Sequence, residues 1–219
     1  MRERIYIIRP YRPSDNDAAY EVCLKTGDSG ADGTHLYPDD HRALGRIYVG
    51  PYLRFEPELS FVLEDSVGVC GYVLAALDSE SFYRHYHQEW LPPVRARYPS
   101  PSGNPDAWTP TQRLYYEYHH PETYYPPEFR IYPSHLHIDL MPRVQGHGLG
   151  APMIRLMLDC LAVKGSPGVH LCMSEVNARA FKFYLKLGFK ELVRRGTGES
   201  AVIFMGLPLY PACPETPES

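Results

Sequence analysis

Three glycines fall within residues 145–150, between a short apolar run and an amphipathic stretch. The run at residues 136–141 predicts a strand, and the stretch at residues 151–164 predicts a helix. Glycine lets a backbone turn sharply and approach a ligand closely, while the first turn of a helix offers unpaired N–H groups and a positive dipole end. The segment therefore predicts a phosphate-binding loop, and a diphosphate is the ligand that we expect it to bind.

Composition narrows the classes of protein that the chain can represent. Its 219 residues suit one sizeable domain, and 26 acidic against 22 basic side chains give a formal charge of −4, which argues against a nucleic-acid partner. No apolar stretch approaches the length of a membrane span, so we expect no membrane partner. Five cysteines without a Cys-x-x-Cys pair favour a reducing compartment and a cytoplasmic location. The sequence does not indicate an oligomeric state.

The order of the predicted elements is typical of an α/β fold. The strands are predicted at residues 5–9, 59–63, 67–77, 135–141, 169–173, 189–193 and 201–205. The helices are predicted from Ser14 or Asp15 as a cap to Gly27, and at about residues 39–53, 112–118, 151–163 and 178–187. We expect one domain over residues 1–207 and a flexible C-terminal tail at residues 208–219.

Residues 78–134 differ in composition from the rest of the chain. They hold ten of the 22 prolines and nine of the 18 tyrosines, together with four histidines. Aromatic side chains can bury surface and order such a segment, so we interpret it as an insertion over the main body. A stretch of this length between two strands is usually functional, as a lid or a wall of a binding site. An extra packing or oligomer surface is the alternative.

Two common nucleotide-binding loops do not match residues 145–150. A Walker loop ends in Gly-Lys and Ser or Thr, whereas this one ends in Gly-Ala, and the acidic residue of a dinucleotide fingerprint is not in place. The pattern Gln-x-x-Gly-x-Gly at Gln145, Gly148 and Gly150 instead resembles the GNAT superfamily of acyl-CoA N-acyltransferases. The segment Asn-x-x-Ala-x-x-Phe-Tyr-x-Lys-x-Gly-Phe at residues 177–189 is similar to a second motif of that family.

The resemblance covers nearly the whole chain outside the insertion. It implies a central twisted sheet, mixed but mostly antiparallel and flanked by helices, with the aromatic and proline-rich insertion between strands 3 and 4. Residues 69–74, 138–140 and 183–188 look like the acetyltransferase-like C-terminal domain of animal O-GlcNAcase and its free-standing bacterial relatives. The animal domain has a degraded glycine loop and is regarded as a pseudo-acetyltransferase. In this sequence the loop is intact.

The resemblance also implies a site for acetyl-CoA. Backbone N–H groups of residues 145–151 would hold the pyrophosphate, and the pantetheine arm would lie along residues 138–141, where the fourth and fifth strands separate. The residues expected to contact the coenzyme are Ile138, Leu140, Met141, Gln145, Gly146, His147, Gly148, Leu149, Gly150, Ala151, Asn177, Phe183, Tyr184 and Lys186. Asn177 has a second expected role, because it can also cap the following helix.

Acetyl transfer to an amine needs a base, donors for the carbonyl oxygen and a proton for the departing thiolate. Tyr184 matches the family's position for the general acid, with a core aromatic as the alternative. Backbone N–H groups of Ile138 or Leu140 are expected to serve the oxyanion. The candidate bases are Asp139, His137 and Glu175. His135, His137 and Asp139 share one face of the predicted strand, so they could line an acceptor pocket together.

We therefore expect an acetyl-CoA-dependent N-acetyltransferase that acetylates a primary amine, favouring a small molecule, by direct attack in a ternary complex. The alternative is a coenzyme A-binding pseudo-acetyltransferase that serves as a binding or interaction module. A zinc site is a competing use of the histidines, but their spacings match no closed ligand set, so no metal is expected. The histidines in question are His85, His87, His119, His120, His135 and His137.

Overall fold

The computed structural model describes residues 5–198 and 201–209. Within these residues, seven strands form one sheet in the order β1-β2-β3-β4-β5-β7-β6. The strands are β1 (Ile7–Pro10), β2 (Ser60–Asp65), β3 (Gly68–Ala76), β4 (Ser134–Leu140), β5 (Gly168–Ser174), β6 (Lys190–Arg195) and β7 (Val202–Pro208). Neighbouring strands are antiparallel except for the parallel pair β4–β5. The predicted mixed, mostly antiparallel α/β architecture is confirmed.

Helices cover the sheet and fill the segment between β3 and β4. They are α1 (Asn16–Thr26), α2 (Gly45–Tyr48), α3 (Gly50–Phe55), α4 (Ser79–His85), α5 (Leu91–Arg97), α6 (Pro110–His119), α7 (Gly150–Val163) and α8 (Ala178–Lys186), with a π-helical turn at Tyr86–Trp90. Short 3-10 turns lie at Pro13–Asp15, Thr34–Leu36, Pro57–Leu59, Pro105–Ala107, Pro127–Ile131 and Pro142–Val144. None of the helices in the described ranges is long and apolar enough to cross a membrane.

The interior strand β3 carries much of the core. Residues 70–76 are all buried, because α1 and α7 pack against this strand. On α7, Met153, Ile154, Met157 and Leu161 are buried, which is the apolar stripe expected of a helix against a sheet. This packing fixes both ends of the glycine loop, since one end leaves the neighbouring strand β4 and the other begins α7.

The parallel strands β4 and β5 separate part-way along the sheet. Their described pairing consists of Ser134 with Val169 and His135 with His170. Beyond that point β4 continues to pair with β3 as far as Leu140, while β5 pairs with β7 along its whole length. The result is a gap in the sheet beside the second half of β4.

Three local predictions need correction. The single helix predicted over residues 39–53 is two short helices, broken at Val49 because Pro51 has no N–H with which to continue α2. Asp15 lies at the N-cap of α1, but its carboxylate accepts from Arg9 and from the Arg12 N–H instead of capping the helix. Pro208 belongs to β7, and Leu209 is buried with its N–H donating to the Pro167 carbonyl at 2.8 Å, so the predicted tail does not begin at residue 208. Residues 210–219 of that tail lie outside the described residues.

Candidate active site

The gap between β4 and β5 exposes one edge of β4. Met141 donates its N–H to the carbonyl of Cys70 at 2.9 Å, so this N–H faces β3. N–H groups alternate in direction along a strand, and those of Ile138 and Leu140 therefore face away from β3, into the gap. These are the two groups that the sequence predicts as oxyanion donors.

The glycine loop adopts a backbone conformation that favours glycine. Gly146 and Gly148 have φ of +80° and +76°, and no described atom lies within 4 Å of a Cβ built on either residue. The helix α7 begins at Gly150, where the N–H groups of the first turn have no partner within the helix. An open loop leading into a helix N-terminus fits an anion such as a diphosphate.

A cavity of about 440 Å³ joins the gap, the glycine loop and α8. The predicted coenzyme contacts that line it are Ile138, Leu140, Gln145, Gly146, Gly148, Leu149, Gly150, Ala151, Asn177, Phe183 and Tyr184. We call it the loop cavity. Asn177 caps α8 at its edge, because its side-chain oxygen accepts the Ala180 N–H at 3.0 Å.

Three of the predicted coenzyme contacts do not line the loop cavity. Met141 is buried, with its sulfur 2.6 Å from Nη1 of Arg143. His147 is exposed beside Tyr6, and the ring centroids are 6.1 Å apart. Lys186 is exposed at the end of α8. A motif places residues along the chain, whereas the local turn and the helix face decide which of them reach the cavity.

Four residues that were not among the predicted coenzyme contacts also line the loop cavity: Thr26, Gly30, Arg179 and Ala180. Arg179 brings a positive charge to the glycine loop, since its Nη2 donates to Oε1 of Gln145 at 2.6 Å. The Gln145 amide in turn donates to the carbonyls of Gly30 and Leu140, each at 2.8 Å. Arg179 stands two positions after Asn177 and could have been found from the second motif. Gly30 reaches the site from a distant loop.

A polar cluster surrounds Asp139 on one face of β4. The Tyr72 hydroxyl donates a hydrogen bond to Oδ2 of Asp139 from the opposing position on β3. Nε2 of His137 lies 3.0 Å from the same oxygen, and the His137 ring stacks on Tyr48 at a centroid distance of 5.8 Å. Two of the three candidate bases therefore lie together. We call Asp139, His137 and Tyr72 the β4 cluster; the sequence did not indicate Tyr72.

His135 lies on the same face but in a separate environment. Its Nδ1 is 2.7 Å from Oγ of Ser79, and its ring stacks on Tyr83 at 5.2 Å. Burial lowers the pKa of His135 well below its usual value, and the nearby His170 and His137 lower it further. The imidazole is therefore neutral and held in the core.

Tyr184 and Glu175, the other two candidate catalytic residues, differ in their position. Tyr184 is buried at the edge of the loop cavity, and burial followed by the charge of Asp139 raises the pKa of its phenol. The hydroxyl therefore keeps its proton at neutral pH. Glu175 forms an ion pair with Arg194 and does not line the loop cavity. The structure does not bring it to the β4 cluster.

A second cavity, of about 570 Å³, adjoins the β4 cluster through Tyr48. We call it the aromatic cavity. Its wall combines aromatic side chains with a few polar and charged ones: Tyr48, Tyr52, Phe82, Tyr83, Tyr86, Tyr124, Phe204, Glu117, Glu122, Arg195 and Cys172. Half of its lining comes from residues 78–134, so the segment between β3 and β4 supplies one wall.

The other histidines considered as metal ligands have separate partners. His85 contacts Glu89, His119 contacts the Tyr98 carbonyl and His120 contacts the Tyr116 carbonyl. His87 lies in the π-helical turn. These four histidines therefore lie at separate places along residues 78–134.

The chain has a close structural relative. The crystal structure of SsHAT has 37% sequence identity to this chain and a TM-score of 0.83, and the match covers 94% of this chain and 98% of SsHAT. The chain belongs to the GNAT superfamily of acyl-CoA N-acyltransferases. As a GNAT member it is an acyltransferase that uses a coenzyme A thioester, and the loop cavity has the elements that such a donor needs. No family model matches the chain.

More distant similarities agree with this placement. Protein O-GlcNAcase of Mus musculus is 27% identical over 204 residues, which cover 93% of this chain and 22% of the mouse protein. The GNAT chain thus spans about a fifth of the length of this relative. The structure of yncA from Salmonella typhimurium, solved with its cofactor acetyl-CoA, shares the fold at 16% identity and a TM-score of 0.56, over 95% of this chain and 99% of yncA.

Proposed function

We propose that this chain transfers an acetyl group from acetyl-CoA to a primary amine of a small molecule, by direct attack within a ternary complex. The observation that carries the proposal is the loop cavity. It joins the positive-φ glycine loop before α7 to the N–H groups of Ile138 and Leu140 that face the gap. A phosphate cradle and oxyanion donors in one cavity suit a diphosphate-bearing thioester.

The glycine loop and the first turn of α7 would hold the pyrophosphate, with Arg179 adding positive charge at the rim. The thioester supplies the acetyl group. Ile138 and Leu140 would donate their N–H groups to its carbonyl oxygen as negative charge develops there. None of these contacts depends on His147 or Lys186, which are exposed and do not line the loop cavity.

The β4 cluster and Tyr184 would handle the protons. A C–N bond forms as the C–S bond breaks, so the amine must lose a proton and the thiolate must gain one. Asp139 would accept the amine proton with His137 beside it, and Tyr72 would hold the carboxylate in place. Tyr184 would donate its phenolic proton to the departing sulfur, which the raised pKa of the phenol permits at neutral pH.

The size of the aromatic cavity supports a small acceptor. Its volume of about 570 Å³ falls within the range of small-molecule pockets, and residues 78–134 cover one side of it. An extended protein tail would need an open groove in its place.

Titration calorimetry with acetyl-CoA, followed by a thiol-release assay across a panel of amines, tests this function. We expect binding at micromolar acetyl-CoA and release of free thiol that depends on the amine. Absence of heat at high micromolar acetyl-CoA would rule out the transferase. Binding without thiol release on any amine would favour the coenzyme A-binding pseudo-acetyltransferase.

A further inference from the structure

The wall of the aromatic cavity includes two carboxylates that have no ion-pair partner among the described residues. Glu117 extends from α6, and Glu122 follows it in the loop. Within the described ranges, neither carboxylate forms an ion pair or a hydrogen bond. Burial, followed by the charge of Glu122, raises the pKa of Glu117 to about 7. A cation placed beside Glu117 would offset both effects.

Neutral aromatic rings line the same cavity as these two carboxylates. The charge of Glu117, ahead of burial, raises the pKa of Tyr48 well above its usual value, and burial followed by Glu117 raises that of Tyr86. Both phenols therefore lie within electrostatic reach of Glu117 and remain uncharged. The faces of such rings attract cations and do not compete with a ligand for the carboxylate.

The cavity that Glu117 and Glu122 line also adjoins the β4 cluster. Tyr48 contributes to both, because it lines the cavity near Glu117 and stacks on His137. Among the described residues that line the cavity, Arg195 carries a positive charge. Its guanidinium carbon lies 4.1 Å from the centroid of the Tyr124 ring. Among the described residues, no ion pair or hydrogen bond joins Arg195 to Glu117.

We propose that the aromatic cavity is the acceptor site and that it takes an amine bearing a second cationic group, such as an alkyl diamine. This assignment rests on the proposed acetyl transfer. The second cationic group binds beside Glu117 among the tyrosine rings, while the reacting amine lies at the β4 cluster and loses its proton there. Acetylation modifies only the reacting amine, so the second cationic group remains paired with Glu117 throughout the reaction.

Titration calorimetry with three probes of similar length tests the ligand class without turnover. The probes are 1,5-diaminopentane, 1-aminopentane and 6-aminohexanoate. We expect the diamine to bind at least tenfold more tightly than the monoamine, because a hydrogen bond to a charged group contributes about that factor. Tighter binding of 6-aminohexanoate would show that Arg195 selects the ligand and would overturn the proposal. Failure of all three to bind at millimolar concentration would also overturn it.

A pair of variants locates the distal charge. Glu117→Gln keeps the shape of the side chain and removes its charge, so we expect the diamine to bind no better than the monoamine. Glu128→Gln is the matched control, because Glu128 is exposed and lies outside the aromatic cavity. A diamine preference that survives in Glu117→Gln would contradict the assignment.

The acetyl-CoA titration separates failure of this proposal from failure of the proposed function. Acetyl-CoA binding and amine-dependent thiol release, combined with equal affinity for diamine and monoamine, would leave the transferase standing and reject the cationic acceptor. Loss of acetyl-CoA binding would reject the transferase, while the direct titrations would still report on the cavity.

Discussion

At the scale of single residues, Tyr184 offers the clearest test of the chemistry. Its ring lies 5.3 Å from that of Phe183 and 5.5 Å from that of Phe189, so phenylalanine keeps the packing and loses only the hydroxyl. We expect Tyr184→Phe to lower kcat roughly a hundredfold, the effect of losing a general acid. Acetyl-CoA affinity, measured by calorimetry, should change little. Unchanged turnover in the thiol-release assay would show that another group protonates the sulfur.

Glu117 links stability to pH through its burial. A carboxyl whose pKa is raised to about 7 holds its proton more tightly in the folded state than in the unfolded chain. Its contribution to stability is therefore complete below pH about 4.5 and is lost as pH rises through about 7. The titratable groups that interact electrostatically with it are Glu122, Tyr37, Tyr48 and Tyr86, and none of them supplies positive charge.

We expect Glu117→Gln to match the native protein in unfolding free energy near pH 4.5. At pH 8 it should be more stable by about 1–3 kcal/mol, because glutamine avoids the buried charge. Urea unfolding at both pH values measures this difference, with Glu128→Gln as the control. Equal stability at pH 8 would mean that Glu117 is better solvated than its position suggests. A stabilised variant that no longer prefers the diamine would also separate loss of binding from loss of folding.

At the scale of elements, the unit of β4, glycine loop and α7 can be tested at its two ends. Gly148 precedes α7 with φ of +76°, and Gly165 follows it with φ of +87°; neither has a described atom within 4 Å of a built Cβ. Alanine at either position strains the backbone by about 1–2 kcal/mol.

We expect Gly148→Ala to weaken acetyl-CoA binding about tenfold, because the strain reorients the N–H groups of the loop. Gly165→Ala should lower stability similarly and leave acetyl-CoA affinity unchanged. Calorimetry and thermal unfolding on both variants separate the two effects. Equal affinity losses would indicate that the helix as a whole, not the loop, determines binding.

This same unit shows what local sequence pattern can predict. Strand, loop and helix are continuous along the chain, so periodicity and three glycines were enough to place Gly146, Gly148 and Gly150 around one cavity. Tyr72 and Asp139 meet because β3 and β4 pair in one register, across 67 positions of chain. Gly30 reaches Gln145 across 115 positions. Such contacts depend on tertiary packing, which no local pattern encodes.

At the scale of the whole molecule, each of the two cavities adjoins a different residue of the β4 cluster. Asp139 lines the loop cavity, and its neighbour His137 stacks on Tyr48 of the aromatic cavity. The proposed ternary complex would hold one substrate in each cavity, and the acetyl group would need no carrier on the protein. Cys172 is the thiol that could act as such a carrier, since it lines the aromatic cavity. The residue is exposed, but desolvation of its thiol raises the pKa to about 11, so little thiolate forms at neutral pH.

Direct transfer predicts a kinetic pattern that a covalent route does not share. With acetyl-CoA and amine varied together, we expect intersecting double-reciprocal lines, because both substrates must be bound before acetyl transfer. Cys172→Ser should retain kcat within about twofold, since the thiol takes no part. Parallel lines, together with an acetyl adduct on Cys172 detected by mass spectrometry in the absence of amine, would replace the ternary complex with an acyl-enzyme. Intersecting lines with an inactive Cys172→Ser variant would instead show that this thiol supports acceptor binding without carrying the acetyl group.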